Sequence, residues 1–96
     1  MPAPNQSLAS AVDTVRSAWN VGAQNDAAAD EALRRANSEI ERAITLMREG
    51  KNEEATRLLA RANVDAELAV ELGRESVMQR HARDARAVVQ AAREGR

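Results

Sequence analysis

The single imidazole of the chain, His81, stands three residues before Asp84, a spacing that brings an imidazole and a carboxylate onto neighbouring positions of a helix. Catalysis or metal binding would need further groups converging on the same point. The positions four residues either side of His81 are Val77 and Ala85, so no cluster forms, and His81 reads as a packed or interface residue. Glu67, Glu71 and Glu75 repeat at four-residue intervals, the carboxylate spacing of di-metal helical bundles. Those sites also take Glu-x-x-His from facing helices, and this chain has no such motif, so the three carboxylates read as a solvated acidic edge. No serine or threonine has a histidine base in helical register. The residues thus assign no catalytic, cofactor-binding or metal role, and the chain is read as a non-enzyme without a small-molecule substrate.

Arginine is the remaining chemistry. Of fourteen basic residues only Lys51 is lysine, and Arg74, Arg80, Arg83, Arg86, Arg93 and Arg96 outnumber Glu75, Asp84 and Glu94 near the C-terminus. Arg80 and Arg83 fall opposite an apolar stripe, with Arg86 and Arg93 on its flank. Such an array is the solvated back of an amphipathic helix or a contact for an anionic partner, lipid or nucleic acid. The interleaved Trp, Phe and Lys typical of membrane-surface helices are missing there, which favours the solvated reading.

These residues must be positioned by helices, because alanine, leucine, arginine and glutamate dominate the composition. Ninety-six residues suggest one domain near the small end for a self-sufficient core. A net charge of −1 sets up no global field for nucleic acid or acidic membranes, and 1% aromatic content leaves almost nothing to stack on bases. Cysteine is absent, so disulfides and thiolate chemistry are excluded while the redox compartment stays open. Met1-Pro2-Ala3-Pro4 carries neither the basic nor the apolar region of a signal peptide.

Residues 1–6, with both prolines, read as a flexible arm, and residues 7–96 as a single helical domain. Ser7 is the expected N-cap of a helix over about 7–21, with Leu8, Val12, Val15 and Trp19 on one stripe and Trp19 anchoring the core. Gly22 ends it. Asp26 caps a second helix over about 26–49, whose inner stripe is Ala29, Leu33, Ala36, Ile40, Ala43, Ile44 and Met47, with Leu46 off it. Asp30–Arg34 and Glu31–Arg35 are i,i+4 ion pairs in the favourable orientation. Gly50 stops this helix, Asn52 is expected to cap the third, and Glu53–Arg57 repeats the pairing. So short a turn makes the second and third helices antiparallel neighbours.

The third helix, about 52–94, has two apolar faces. One is small: Ala55, Leu59, Ala62, Ala66, Ala69 and Gly73. The other carries Ala60, Val64, Leu68 and Leu72. Beyond Gly73 the apolar stripe of Val77, Met78, His81, Ala82, Ala85, Val88, Val89 and Ala92 is rotated by roughly a quarter to a third of a turn at 3.6 residues per turn. Either the helix bends or breaks near Gly73, or its packing partner changes there. A third helix of about 63 Å would far outrun its ~36 Å neighbour at 1.5 Å per residue. The fold class is therefore an all-α antiparallel bundle whose distal end needs another chain or a fold-back. We expect a homodimer, with Leu68, Leu72, Val77, Met78, His81, Ala85, Val88 and Val89 as its interface.

The hairpin also resembles a known family. Leu33-x2-Ala36, Ala43, Gly50-Lys51-Asn52-Glu53-Glu54-Ala55, Leu58-Leu59, Ala62 and Asp65-Ala66-Glu67-Leu68-Ala69 resemble an alanine-rich helical-hairpin domain of unknown function in bacterial envelope lipoproteins, sometimes N-terminal to OmpA-like domains. Ala18-Trp19-Asn20-Val21-Gly22-Ala23 looks like its upstream segment. The chain departs from the pattern at Lys51, at Leu59 and at Asn25-Asp26-Ala27. The resemblance implies a periplasmic or outer-membrane-associated location and an envelope protein partner; without it the chain reads as cytoplasmic. It transfers no catalytic residue. The expected function is that of a non-enzymatic interaction module, with anionic-surface binding through Arg80, Arg83, Arg86 and Arg93 as the alternative.

Overall fold

A computed structural model describes residues 1–95; Arg96, counted above among the C-terminal arginines, lies outside them. Three α-helices run in chain order: α1 (Asn5–Asn20), α2 (Ala27–Arg48) and α3 (Asn52–Glu94), with one 3-10 turn (Ala23–Asn25) between the first two. No strand occurs among the described residues. The molecule measures 69 × 19 × 13 Å, and its long axis is close to the ~64 Å that α3 spans at 1.5 Å per residue.

The helix ends follow local chemistry. At the start of α2, the Asp26 carboxylate accepts a hydrogen bond from the Ala29 N–H at 3.0 Å, satisfying one of the helix's orphan donors. Gly22 and Gly50 supply the positive φ, 81° and 75°, at which the chain leaves α1 and α2. Two expected caps are corrected. The first helix begins at Asn5 behind Pro4, with no side-chain cap, so Ser7 lies inside it; proline's fixed φ suits a helix entry, and the arm is shorter than expected. Lys51 takes the position before α3, also without a side-chain cap, while Asn52 is helical and donates to the Met1 carbonyl at 3.0 Å.

The inner surface is alanine. On α3, Ala55, Leu59, Ala62, Ala66, Ala69 and Gly73 are all buried, as their spacing predicts. Opposite them α2 buries Ala29, Ala32, Leu33, Ala36, Ile40 and Ala43. Leu33 and Leu59 are the largest fully buried side chains, so small residues hold the two helices close along most of their shared length. Leu46, expected off the stripe, is half-buried against the lower cluster around Ile40, Ala43 and Leu59. The ion pairs Asp30–Arg34 (2.9 Å), Glu31–Arg35 (3.3 Å) and Glu53–Arg57 (3.5 Å) decorate the outside, each worth a few tenths of a kcal/mol.

Helix α1 runs parallel to α3: Thr14 Oγ1 lies 2.8 Å from Asn63 Oδ1, and Val21 reaches Gly73. It buries Ala11 and Ala18 with Val15 between them. Trp19 is not the anchor the stripe suggests; it is 49% exposed. The alanines, not the large residues, define the line of contact, and Trp19 falls at its edge.

Helix α3 passes Gly73 without a break. This glycine serves close approach instead: a Cβ there would stand 3.0 Å from Val21 Cγ2 and 3.2 Å from the Ala23 Cα. Gly73→Ala sets a helix-propensity gain of about 1 kcal/mol against a crowded, backbone-pinned contact costing about 1–3 kcal/mol. We expect a net loss of stability for Ala and a loss several times larger for Leu, read from urea denaturation midpoints. An increase for both would contradict the close approach.

Candidate interaction surface

Beyond Gly73 the inner face of α3 runs out of neighbours. Ser76 and Val77 are half-buried, and every described residue from Met78 onward is exposed. The expected interface residues divide accordingly. Leu72 is half-buried against the upper core cluster with Ala32, Leu33 and Val70, and Val77 is half-covered. Leu68, Met78, His81, Ala85, Val88 and Val89 are exposed, Met78 at 70% and Val88 at 68%. Val88, Val89, Ala92 and Arg93 line one shallow apolar cleft on this rod.

A second apolar strip lies on the three-helix part of α3. Ala60, Val64 and Leu68 are exposed, Val64 at 63%, because α1 and α2 occupy the other two sides of the helix. Ala60 and Val64, with Arg35, Glu39, Arg61 and Asp65, line an open groove where α2 meets α3. Acidic side chains continue this face toward the rod, through Glu71 and Glu75.

Sequence reasoning missed Glu39. Its Oε1 is buried without a hydrogen-bond donor among the described residues, beside Asp65 of α3, which Arg35 approaches at 3.6 Å. Two ionised carboxylates cannot bond to each other, but one proton shared between them can satisfy both. Burial, then the hydrogen bond and negative charge of Asp65, push the Glu39 carboxyl up to about 7, against the pull of Arg61 and Arg35. The only sequence signal is that Glu39 falls one residue from the inner-stripe Ile40.

Because the folded value lies above the ordinary 4.5, stability from this proton is complete below about 4.5 and fades as pH rises toward 7. Solvent screening limits the effect to about 1 kcal/mol. Glu39→Gln should remove the difference: wild type and variant should diverge in urea midpoint between pH 5 and 7.5, the wild type falling. Parallel curves would contradict the shared proton.

The residues considered for chemistry are dispersed. His81 is exposed, and no group of three His, Cys, Asp or Glu side chains close enough to hold a metal occurs among the described residues. Glu71 pairs with Arg74 at 3.4 Å and Glu75 accepts from Gln79 at 3.4 Å. Arg80, Arg83, Arg86 and Arg93 are exposed and, among the described residues, make no ion pair within 4.0 Å. No helix is long and apolar enough to cross a membrane among the described residues.

Compared with known families, residues 6–85 match one described as Domain of unknown function (DUF4398). The match takes in the three-helix part from the second residue of α1 and the rod as far as Ala85. No curated protein and no solved structure matches the chain.

Proposed function

The chain belongs to the DUF4398 family, a domain of unknown function, and from that premise we propose that it is a non-enzymatic helical interaction module that associates with a second copy of itself through the apolar stripe beyond Gly73. The observation that carries this reading is the length of α3: it outruns α1 and α2 and presents Met78, Ala85, Val88 and Val89 on an uncovered rod. Helices in proteins draw most of their stability from tertiary packing of an apolar face, and from Met78 onward this stretch has no such packing among the described residues. Multi-angle light scattering tests the reading. A mass twice the 10.4 kDa of one chain supports it, and a monomer at high concentration overturns it.

The resemblance of the hairpin to envelope lipoproteins supports a place in the bacterial periplasm or on the outer membrane, with an envelope protein as a further partner. Palmitate labelling of the protein expressed from its native gene tests this; no incorporation counts against lipid anchorage. A second reading rests on Arg80, Arg83, Arg86 and Arg93, which make no ion pair among the described residues: binding to anionic lipid or nucleic acid. It predicts co-sedimentation with phosphatidylglycerol vesicles or retention on duplex DNA at low salt, steeply weakened by salt and by R83E with R86E.

A further inference from the structure

We propose that the second copy lies antiparallel, with Met78 near the two-fold axis, so that the distal half of each α3 fills the α2–α3 groove of the other and serves as its fourth helix. This rests on the self-association proposed above and specifies its geometry. Three observations carry it.

The first is facing. Helices α1 and α2 take two sides of the proximal α3, and the side they leave open, Ala60, Val64 and Leu68, is apolar and exposed. Followed at the 3.5-residue period of two packed helices, that open side runs through Glu71 and Glu75 into Met78, Ala82, Ala85, Val89 and Ala92. One face therefore carries both the groove and the residues suited to fill it, as an isologous contact requires.

The second is register. Arg86 stands as far beyond Met78 as Glu71 stands before it, to within a residue, and Val89 and Leu68 are related in the same way. An antiparallel pair centred near Met78 thus lays Val89 on Leu68 and Arg86 beside Glu71 and Glu75. It also brings Arg93 to the level of Val64 and Asp65, where Glu39 and Asp65 line the groove together with Arg35 and Arg61.

The third is charge. Glu71 and Glu75 stand on the receiving half of this face, Glu71 beside Arg74, whereas Arg86 and Arg93 of the inserting half make no ion pair among the described residues. A parallel pair would set Arg86 against Arg86, and an antiparallel pair centred on Ala85 would leave the groove and its carboxylates uncovered. Complementary patches of this kind fix orientation more than they add affinity.

Cysteine cross-linking tests the geometry, since the chain has no native thiol. Met78→Cys and Ala85→Cys, both at exposed positions, are oxidised separately and each is weighed by light scattering before oxidation. The expected result is a disulfide-linked dimer from Met78→Cys and none from Ala85→Cys. Linkage through Ala85→Cys, through both or through neither, in a chain that is still dimeric, overturns this register and leaves self-association standing. A monomer before oxidation overturns both. As a check independent of thiols, Glu71→Arg and Arg86→Glu should each raise the dimer Kd about tenfold, and the double exchange should restore it. Failure of the double exchange to restore it contradicts the proposed pairing.

Discussion

Ala66→Leu is expected to remove a large part of the stability of the fold and to lower its melting temperature sharply. Ala66 is fully buried on the line of small residues that α3 turns inward, from Ala55 to Gly73. Adding three carbons to a close-packed contact forces the helices apart or the side chain off its rotamer, at about 1–3 kcal/mol or more. Parting the helices would also loosen Leu33 and Leu59, the two largest fully buried side chains. For a small domain, whose whole stability is on the order of 5 kcal/mol, such a loss is severe. Ala91→Leu provides the control. It falls on the same line of α3 but beyond the bundle, where it is exposed, and it should shift the melting temperature little. Thermal melts followed by circular dichroism separate the two outcomes, and equal tolerance of both substitutions would refute the alanine seam as the reason for the fold.

The second large effect is on assembly. Met78→Asp combined with Val89→Asp places two carboxylates on the exposed stripe of the rod. In an isolated chain neither position is covered, so the substitutions should leave the three-helix part folded. In the proposed dimer both lie in an apolar contact, where an unpaired carboxylate costs several kcal/mol. Dissociation should follow, with a rise in Kd of at least a hundredfold, a halved mass in light scattering and some loss of helicity as the freed rod frays. Unchanged mass and helicity would remove the rod from the interface.

Much of this architecture is legible in the sequence because it is written in short-range chemistry. Asp26 before an alanine-rich helix, glycines at 22 and 50, and the small-residue line from Ala55 to Gly73 each depend on neighbours a turn away. What escaped depends on distant parts of the chain. Trp19 looks like an anchor by size, yet the packing line is drawn by Ala11 and Ala18, which approach closely only because another helix already lies there. Ser7 and Asn52 have the side chains of N-caps, but Pro4 starts α1 earlier, and Asn52 turns to the Met1 carbonyl. Ala32, fully buried, widens the inner face of α2 beyond the stripe drawn from its larger residues. Gly73 reads as a possible break and proves to be a place where the link after α1 crosses α3.

The candidate surface was half legible for the same reason. Periodicity alone placed Leu68, Met78, His81, Ala85, Val88 and Val89 together on or beside one stripe, and all six are exposed. Periodicity could not show that Leu72 is drawn into the core, nor that Glu39 and Asp65 from different helices meet on the groove wall. Those juxtapositions arise only when α2 and α3 are docked, and the docking distance is itself set by the alanines between them.

Amide hydrogen exchange tests the central claim most directly, because it reads shelter along α3 residue by residue. If a second copy covers the rod, amides from Met78 to Gln90 should be protected, and their protection should rise with protein concentration while that of Ala55–Gly73 changes far less. If those distal amides exchange at unprotected rates at every concentration, while the proximal ones remain slow, the rod stands alone in solution and the account is wrong.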